Sequence, residues 1–77
     1  MYSIGVFAKK TGVTIRTLRY YDEKNLLRPS YISESGRRYY KDEDIATLQK
    51  ILTLKFLGFS LEEIETFIRE NDWNLHD

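Results

Sequence analysis

Two helix starts on either side of one glycine constrain this chain more than any other feature. Ser3 and Thr14 are each placed to accept a hydrogen bond from a backbone N–H two or three residues on, and Gly12 between them suits the left-handed conformation that ends a helix. Ile4, Phe7 and Ala8 follow Ser3 at helical spacing, with Tyr2 spaced to staple onto Phe7. The pattern predicts a first helix from Ser3 to Gly12 and a second from Thr14 to Asn25, where asparagine also accepts a left-handed stop. A link this short makes the helices meet at a steep angle, as in a helix-turn-helix.

The second helix reads T-I-R-T-L-R-Y-Y-D-E-K-N, with Val13 placed to staple onto Leu18. At 100° per residue, Ile15, Leu18 and Tyr21 fall on one side, Arg16, Thr17, Tyr20 and Lys24 on the other, and Arg19 at the boundary. Guanidinium forks match phosphate oxygens and the O6/N7 edge of guanine, and a phenol donates to phosphate, so the outward face suits duplex DNA. A solvated surface with half-buried aromatics presents the same pattern when taken alone. The neighbouring segments decide between the two.

Leu26-Leu27-Arg28-Pro29 follows, and Pro29 forbids further helix. Tyr31-Ile32-Ser33 and Arg38-Tyr39-Tyr40 then read as two short strands around Glu34-Ser35-Gly36-Arg37, forming a hairpin or wing. Isolated hairpins are marginal in water, so the wing must lean on the helices through Ile32 and some of its tyrosines. Alternation puts Arg38 with Tyr40 on one face and Arg37 with Tyr39 on the other, without deciding which meets the body. Asp42 is placed to cap a third helix whose stripe is Ile45, Leu48, Ile51, Leu52 and Phe56, stopped by Gly58. Ser60 and Glu63 form a capping box, and Phe59 and Ile64 a staple, at the entry to a fourth helix continuing through Leu61, Phe67 and Ile68.

The expectation is a mainly α fold: four helices with a small two-stranded β-hairpin wing. One domain spans residues 1–70, with the helix-turn-helix at about 3–25, the wing at about 30–41 and a supporting helix pair at about 42–70. Residues 71–77, with Trp73 and Leu75 out of period, read as a lead toward a further helix.

The zero net charge conceals a division. Residues 1–41 hold nine Lys/Arg against three acids, a balance of +6, and residues 42–77 hold three bases against nine acids, a balance of −6. A polyanion responds to the field within a Debye length of about 8–10 Å, so one end attracts nucleic acid while the other repels it. The lone histidine, His76, lies too near the end to be held as a catalytic group, and Glu62, Glu63 and Glu65 read as helix-dipole partners rather than metal ligands. No phosphate-cradling glycine loop, cysteine, membrane-length apolar run or signal peptide is visible, so the expectation is a cytoplasmic, non-enzymatic protein without cofactor or metal. Other readings of the basic face are a protein-interaction module for an acidic partner and a small excisionase-like architectural DNA binder.

Over nearly its whole length the chain resembles the DNA-binding domain of the MerR family of bacterial transcription regulators. The resemblance is carried by S-I-G-V-F-A-K-K-T-G-V, T-I-R-T-L-R-Y-Y-D-E-K, L-L-R-P, G-R-R-Y-Y and L-G-F-S-L-E-E-I, and looks closest to the drug-sensing and antibiotic-responsive branch. It implies a winged-helix dimer on a pseudo-palindromic promoter, distorting the DNA when an effector arrives so that RNA polymerase engages. By position, it implies that Arg16 and Thr17 face the major groove, Arg19, Tyr20 and Tyr21 hold the backbone, and Arg38 grips flanking DNA. Lys24, Arg37 and Tyr39 complete the candidate DNA-binding set. Asn25 stands where the family usually has glycine, Arg37 where it has a wing tyrosine, and Tyr31 where many members have arginine. Family members dimerise through a helix after the fourth and sense effectors beyond it, so the chain is expected to be a fragment or a reduced member, monomeric by itself. Bending a promoter-sized site costs on the order of 1–6 kcal/mol, which calls for two linked readers.

Overall fold

The computed structural model describes residues 1–71, Asn71 by its backbone only. The order is β1 (Tyr2–Ser3), α1 (Ile4–Thr11), α2 (Ile15–Glu23), β2 (Tyr31–Ile32), β3 (Arg38–Tyr40), α3 (Asp42–Phe56) and α4 (Leu61–Asn71). The readings of Trp73, Leu75 and His76 fall outside the described residues.

The helix ends follow local chemistry. Ser3 Oγ accepts from the Val6 N–H (3.3 Å), Thr14 Oγ1 from Thr17 (3.1 Å) and Ser60 Oγ from Glu63 (3.1 Å), whose carboxylate accepts the Ser60 N–H in return (2.8 Å). Gly12 closes α1 at φ 77°, its N–H donating to the Ala8 carbonyl (2.9 Å), and Asn25 takes φ 60° after α2. At α3 the expectation needs correcting, because the cap position is Lys41 and not Asp42. The Asp44 carboxylate reaches back to the Lys41 N–H (2.7 Å), so the capping contact comes from inside the first turn. The same oxygen accepts the Ser30 hydroxyl (2.6 Å), and Asp42 is left to accept the Tyr2 hydroxyl (2.6 Å).

The wing is larger than a two-stranded hairpin. β1 adds to the free edge of β3, giving an antiparallel sheet of order β1-β3-β2 with Tyr2 opposite Tyr40, Ser3 opposite Tyr39, Tyr31 opposite Tyr39 and Ile32 opposite Arg38. The cap residue Ser3 is already extended, at φ −63° and ψ 162°, so the chain entering α1 is shaped to pair. Two residues are too few to show an alternating pattern in sequence.

Phe7, Leu18, Tyr21, Leu26, Leu27, Tyr40, Leu48, Ile51, Ile64 and Ile68 form one buried cluster with Ala8 at its edge, and Tyr2 and Val13 pack on it. The expected anchor Ile32 is instead 50% exposed; Tyr40 carries the wing, fully buried and stacked on Phe7 with centroids 4.4 Å apart and planes at 11°. The Arg38/Tyr40 face therefore meets the body. On α3, Leu48 and Ile51 are buried, but Leu52 is exposed and Phe56 is 89% exposed, so the predicted stripe is covered only in its first half. Toward the end of α3 it is Leu54, outside the predicted stripe, that packs on the cluster.

The Tyr40 hydroxyl is enclosed without a hydrogen-bond partner among the described residues. Burial, with the Asp22 charge nearby, pushes its pKa from 10.0 to about 12. The folded state therefore holds this proton more tightly than the unfolded chain, so this linkage leaves stability unchanged below pH 10 and lowers it as pH rises toward 12. Tyr40→Phe removes an unpaired buried hydroxyl, so urea unfolding at neutral pH should show equal stability or a gain of about 1 kcal/mol. The same variant should flatten the decline between pH 10 and 12.

Candidate nucleic-acid interface

The outward face of α2 is built from its first turn. Thr14 accepts the Thr17 N–H and donates its own hydroxyl to Thr17 Oγ1 (2.9 Å), so one residue both caps the helix and orients a side chain of the candidate surface. Arg16, Arg19, Tyr20 and Lys24 are exposed, and Thr17 is half-buried. Lys24 Nζ lies 5.7 Å from the centroid of the Tyr20 ring, a cation–π pair that holds both on the surface.

Ile15 departs from the sequence expectation, being 41% exposed rather than turned to the core. A three-residue step rotates a helix face by about −60°, so Ile15 stands roughly 120° from Tyr21, and a buried sector centred between Leu18 and Tyr21 misses it. Tyr21 lies in the core at 6% exposure, as the wheel predicts, and burial raises the pKa of its phenol.

In the wing, the Ser33 carbonyl accepts the Gly36 N–H (2.9 Å), and Ser33 Oγ accepts that of Arg37 (3.0 Å). Gly36 takes φ 86°, which turns the chain and leaves Arg37 exposed. Arg38 is half-buried beside Asp22, with Nε donating to Oδ2 at 3.0 Å. Tyr39 points elsewhere, its ring 5.9 Å from that of Tyr31 in a hollow shared with Met1 and Ser33.

Two hollows lie beside α2, and the second of them reaches the wing. One is lined by Ile15, Arg16, Arg19, Tyr20 and Glu23, the other by Arg19, Arg37 and Arg38 with Gly36, Ser3 and Ile4. Arg19 belongs to both. Arg16, Arg19, Arg37 and Arg38 therefore border one continuous surface, while Tyr39 and the buried Tyr21 stand apart from it. Arg16, Arg19 and Arg37 have no ion-pair partner among the described residues, although Glu23 lines the same hollow as Arg16 and Arg19. No three His, Cys, Asp or Glu among the described residues gather as a metal site.

The model of the MerR HTH family of regulatory proteins matches residues 2–71. The chain belongs to that family. The HTH-type transcriptional activator TipA of Streptomyces coelicolor is 46% identical over 67 residues, covering 87% of this chain and 26% of TipA. Among solved structures, HiNmlR, a MerR family regulator lacking the sensor domain and bound to promoter DNA, superposes with TM-score 0.81 at 35% identity. That match covers 88% of this chain and 54% of HiNmlR. The EcmrR–DNA complex in EcmrR-RPo gives TM-score 0.86 at 38% identity, over 90% of this chain and 26% of that one. This chain thus spans about a quarter of the length of TipA and EcmrR.

Sequence reasoning passed over Asp22, whose carboxylate also accepts Arg28 Nε (2.9 Å). The available signal was an acid in the last turn of a basic helix, where it opposes the dipole unless something compensates it. For the helix start, Thr14→Ala should cost about 1 kcal/mol in urea unfolding, the usual loss for a cap. It should also free the Thr17 hydroxyl, seen as altered Thr17 side-chain NMR shifts.

Proposed function

We propose that this chain is the duplex-DNA reader of a MerR-type transcription regulator. The carrying observation is that Arg19 borders both hollows, which makes the α2 face and the wing one cationic saddle. A duplex laid on it meets Arg16 and Thr17 in the first turn of α2, where base edges lie in the major groove. Arg19, Tyr20 and Lys24 follow them along the helix at phosphate positions, and Arg37 and Arg38 reach the next stretch of backbone. The Tyr21 ring stiffens α2 from beneath, and Tyr39 braces the wing against Tyr31.

The relatives support this reading in kind: HiNmlR is bound to promoter DNA and EcmrR is in a DNA complex. In a longer protein, two such readers joined as a homodimer match a pseudo-palindromic promoter, each on one half-site, with RNA polymerase engaged through the reshaped DNA. An effector-sensing domain elsewhere in that protein supplies the control. Non-enzymatic action in the cytoplasm follows from the same reading, and no helix among the described residues is long and apolar enough to cross a membrane.

Fluorescence anisotropy with duplex DNA over a salt series tests the reading. The log–log slope should be between about −2.7 and −4.5 for three to five phosphate contacts. Arg16→Ala should cost about 1–3 kcal/mol of discrimination between a selected site and a scrambled one, whereas Arg37→Ala should weaken both alike. Absence of binding to any duplex at low salt would sink the proposal and favour an acidic protein partner.

A further inference from the structure

Asp22 occupies a position that the helix itself disfavours. It lies in the last turn of α2, where the dipole's negative end repels a carboxylate, yet its side chain is only 11% exposed and each oxygen holds a guanidinium. Oδ1 accepts from Arg28 Nε, and Oδ2 from Arg38 Nε. Arg28 is further tethered by Asn25 Oδ1 (3.4 Å), just past the helix end. Two cations on one anion leave this junction net positive, so the carboxylate organises the saddle without reversing its field.

Among the described residues, the Arg38–Asp22 contact is the one side-chain hydrogen bond that joins α2 to the wing. It uses Nε alone, and the terminal nitrogens of Arg38 make no hydrogen bond among those residues. A guanidinium is planar and rigid, so fixing it at Nε also fixes the direction of its remaining donors. Those donors belong to a side chain that lines the hollow shared with Arg19 and Arg37.

We propose that Asp22 is a positioning residue for DNA binding: it clamps Arg38 through Nε so that the terminal nitrogens meet a phosphate already oriented, and it holds the wing at a set distance from the helix. This rests on the DNA-reading function above. The clamp removes rotamer freedom before binding, so less ordering remains when the duplex arrives.

The proposal is testable because two accounts differ in sign. If charge alone mattered, Asp22→Asn would add one unit of positive charge to the saddle and tighten binding. If Asp22 positions Arg38, the variant should bind about tenfold more weakly, as for the loss of a charged hydrogen bond. The salt slope should also become shallower by about 0.9, one phosphate contact. A fold-stabilising residue alone would not change that slope.

The assay uses the 77-residue chain and a duplex enriched by the wild type from a random-sequence pool, with Asp22→Asn, Arg38→Ala and the double variant titrated over roughly 50–200 mM salt. In the Arg38→Ala background, Asp22→Asn should cause no further loss. Arg38→Lys keeps the charge but cannot hold Asp22 while presenting a fork, and should fall with Asp22→Asn. Without DNA, the Arg38 Nε–H resonance should be slow to exchange in the wild type and fast in Asp22→Asn. That readout and the lysine variant keep the proposal open to refutation should Asp22→Asn fold poorly. Equal or tighter binding by Asp22→Asn with an unchanged slope, wild-type affinity in Arg38→Lys, or a freely exchanging wild-type Nε–H overturns the positioning role alone. A wild-type chain that binds no duplex overturns both this role and the DNA reading.

Discussion

The stack of Tyr40 on Phe7 is the contact on which the other parts depend. It brings together two fully buried rings from residues far apart in sequence, one on α1 and one on β3. Each ring of that size contributes roughly 1.5–3 kcal/mol by leaving water, a large share for a domain this small. Without it the wing is a short hairpin with an exposed Tyr31 and Ile32 and no apolar hold on the helices. With it, β3 is fixed beside α1, β1 pairs along the available edge, and Arg38, two residues from Tyr40 on the same face, is delivered next to Asp22. An apolar contact thus sets the register of a polar surface.

How much of this was legible in the sequence divides along physical lines. Caps at Ser3, Thr14 and Ser60 and left-handed stops at Gly12 and Asn25 are set within a few residues, and they were readable. The outward side chains along α2 and its C-cap were readable too, because helical period alone turns Arg16, Tyr20 and Lys24 away from Leu18. Features that need a partner from elsewhere were not. The β1 pairing, the wing's reliance on Tyr40 rather than Ile32, and the Arg38 contact with Asp22 depend on segments well apart in sequence. Ile15 was misplaced because a wheel assigns sides without the width of the covered sector. Asp42 was misassigned because α3 starts one residue earlier than expected, with Lys41 at the cap position and the Asp44 carboxylate accepting its N–H.

The acidic half has local uses that explain why it does not cancel the saddle. Glu63 closes its capping box with Ser60, Asp44 is buried among backbone and Ser30 donors, and Asp42 takes the Tyr2 hydroxyl. These carboxylates work at the starts of α3 and α4, where the helix dipoles favour them. Asp22 differs in lying within the basic half, where two guanidiniums match it.

The outer strand β2 is two residues long, and Pro29 stands just ahead of it. A foreign strand laid along it would find a ladder too brief to repay its own ordering, and a proline unable to donate the next bond. The wing can therefore leave Tyr31 and Ile32 half bare without becoming a seed for edge-to-edge aggregation, even where many copies crowd together.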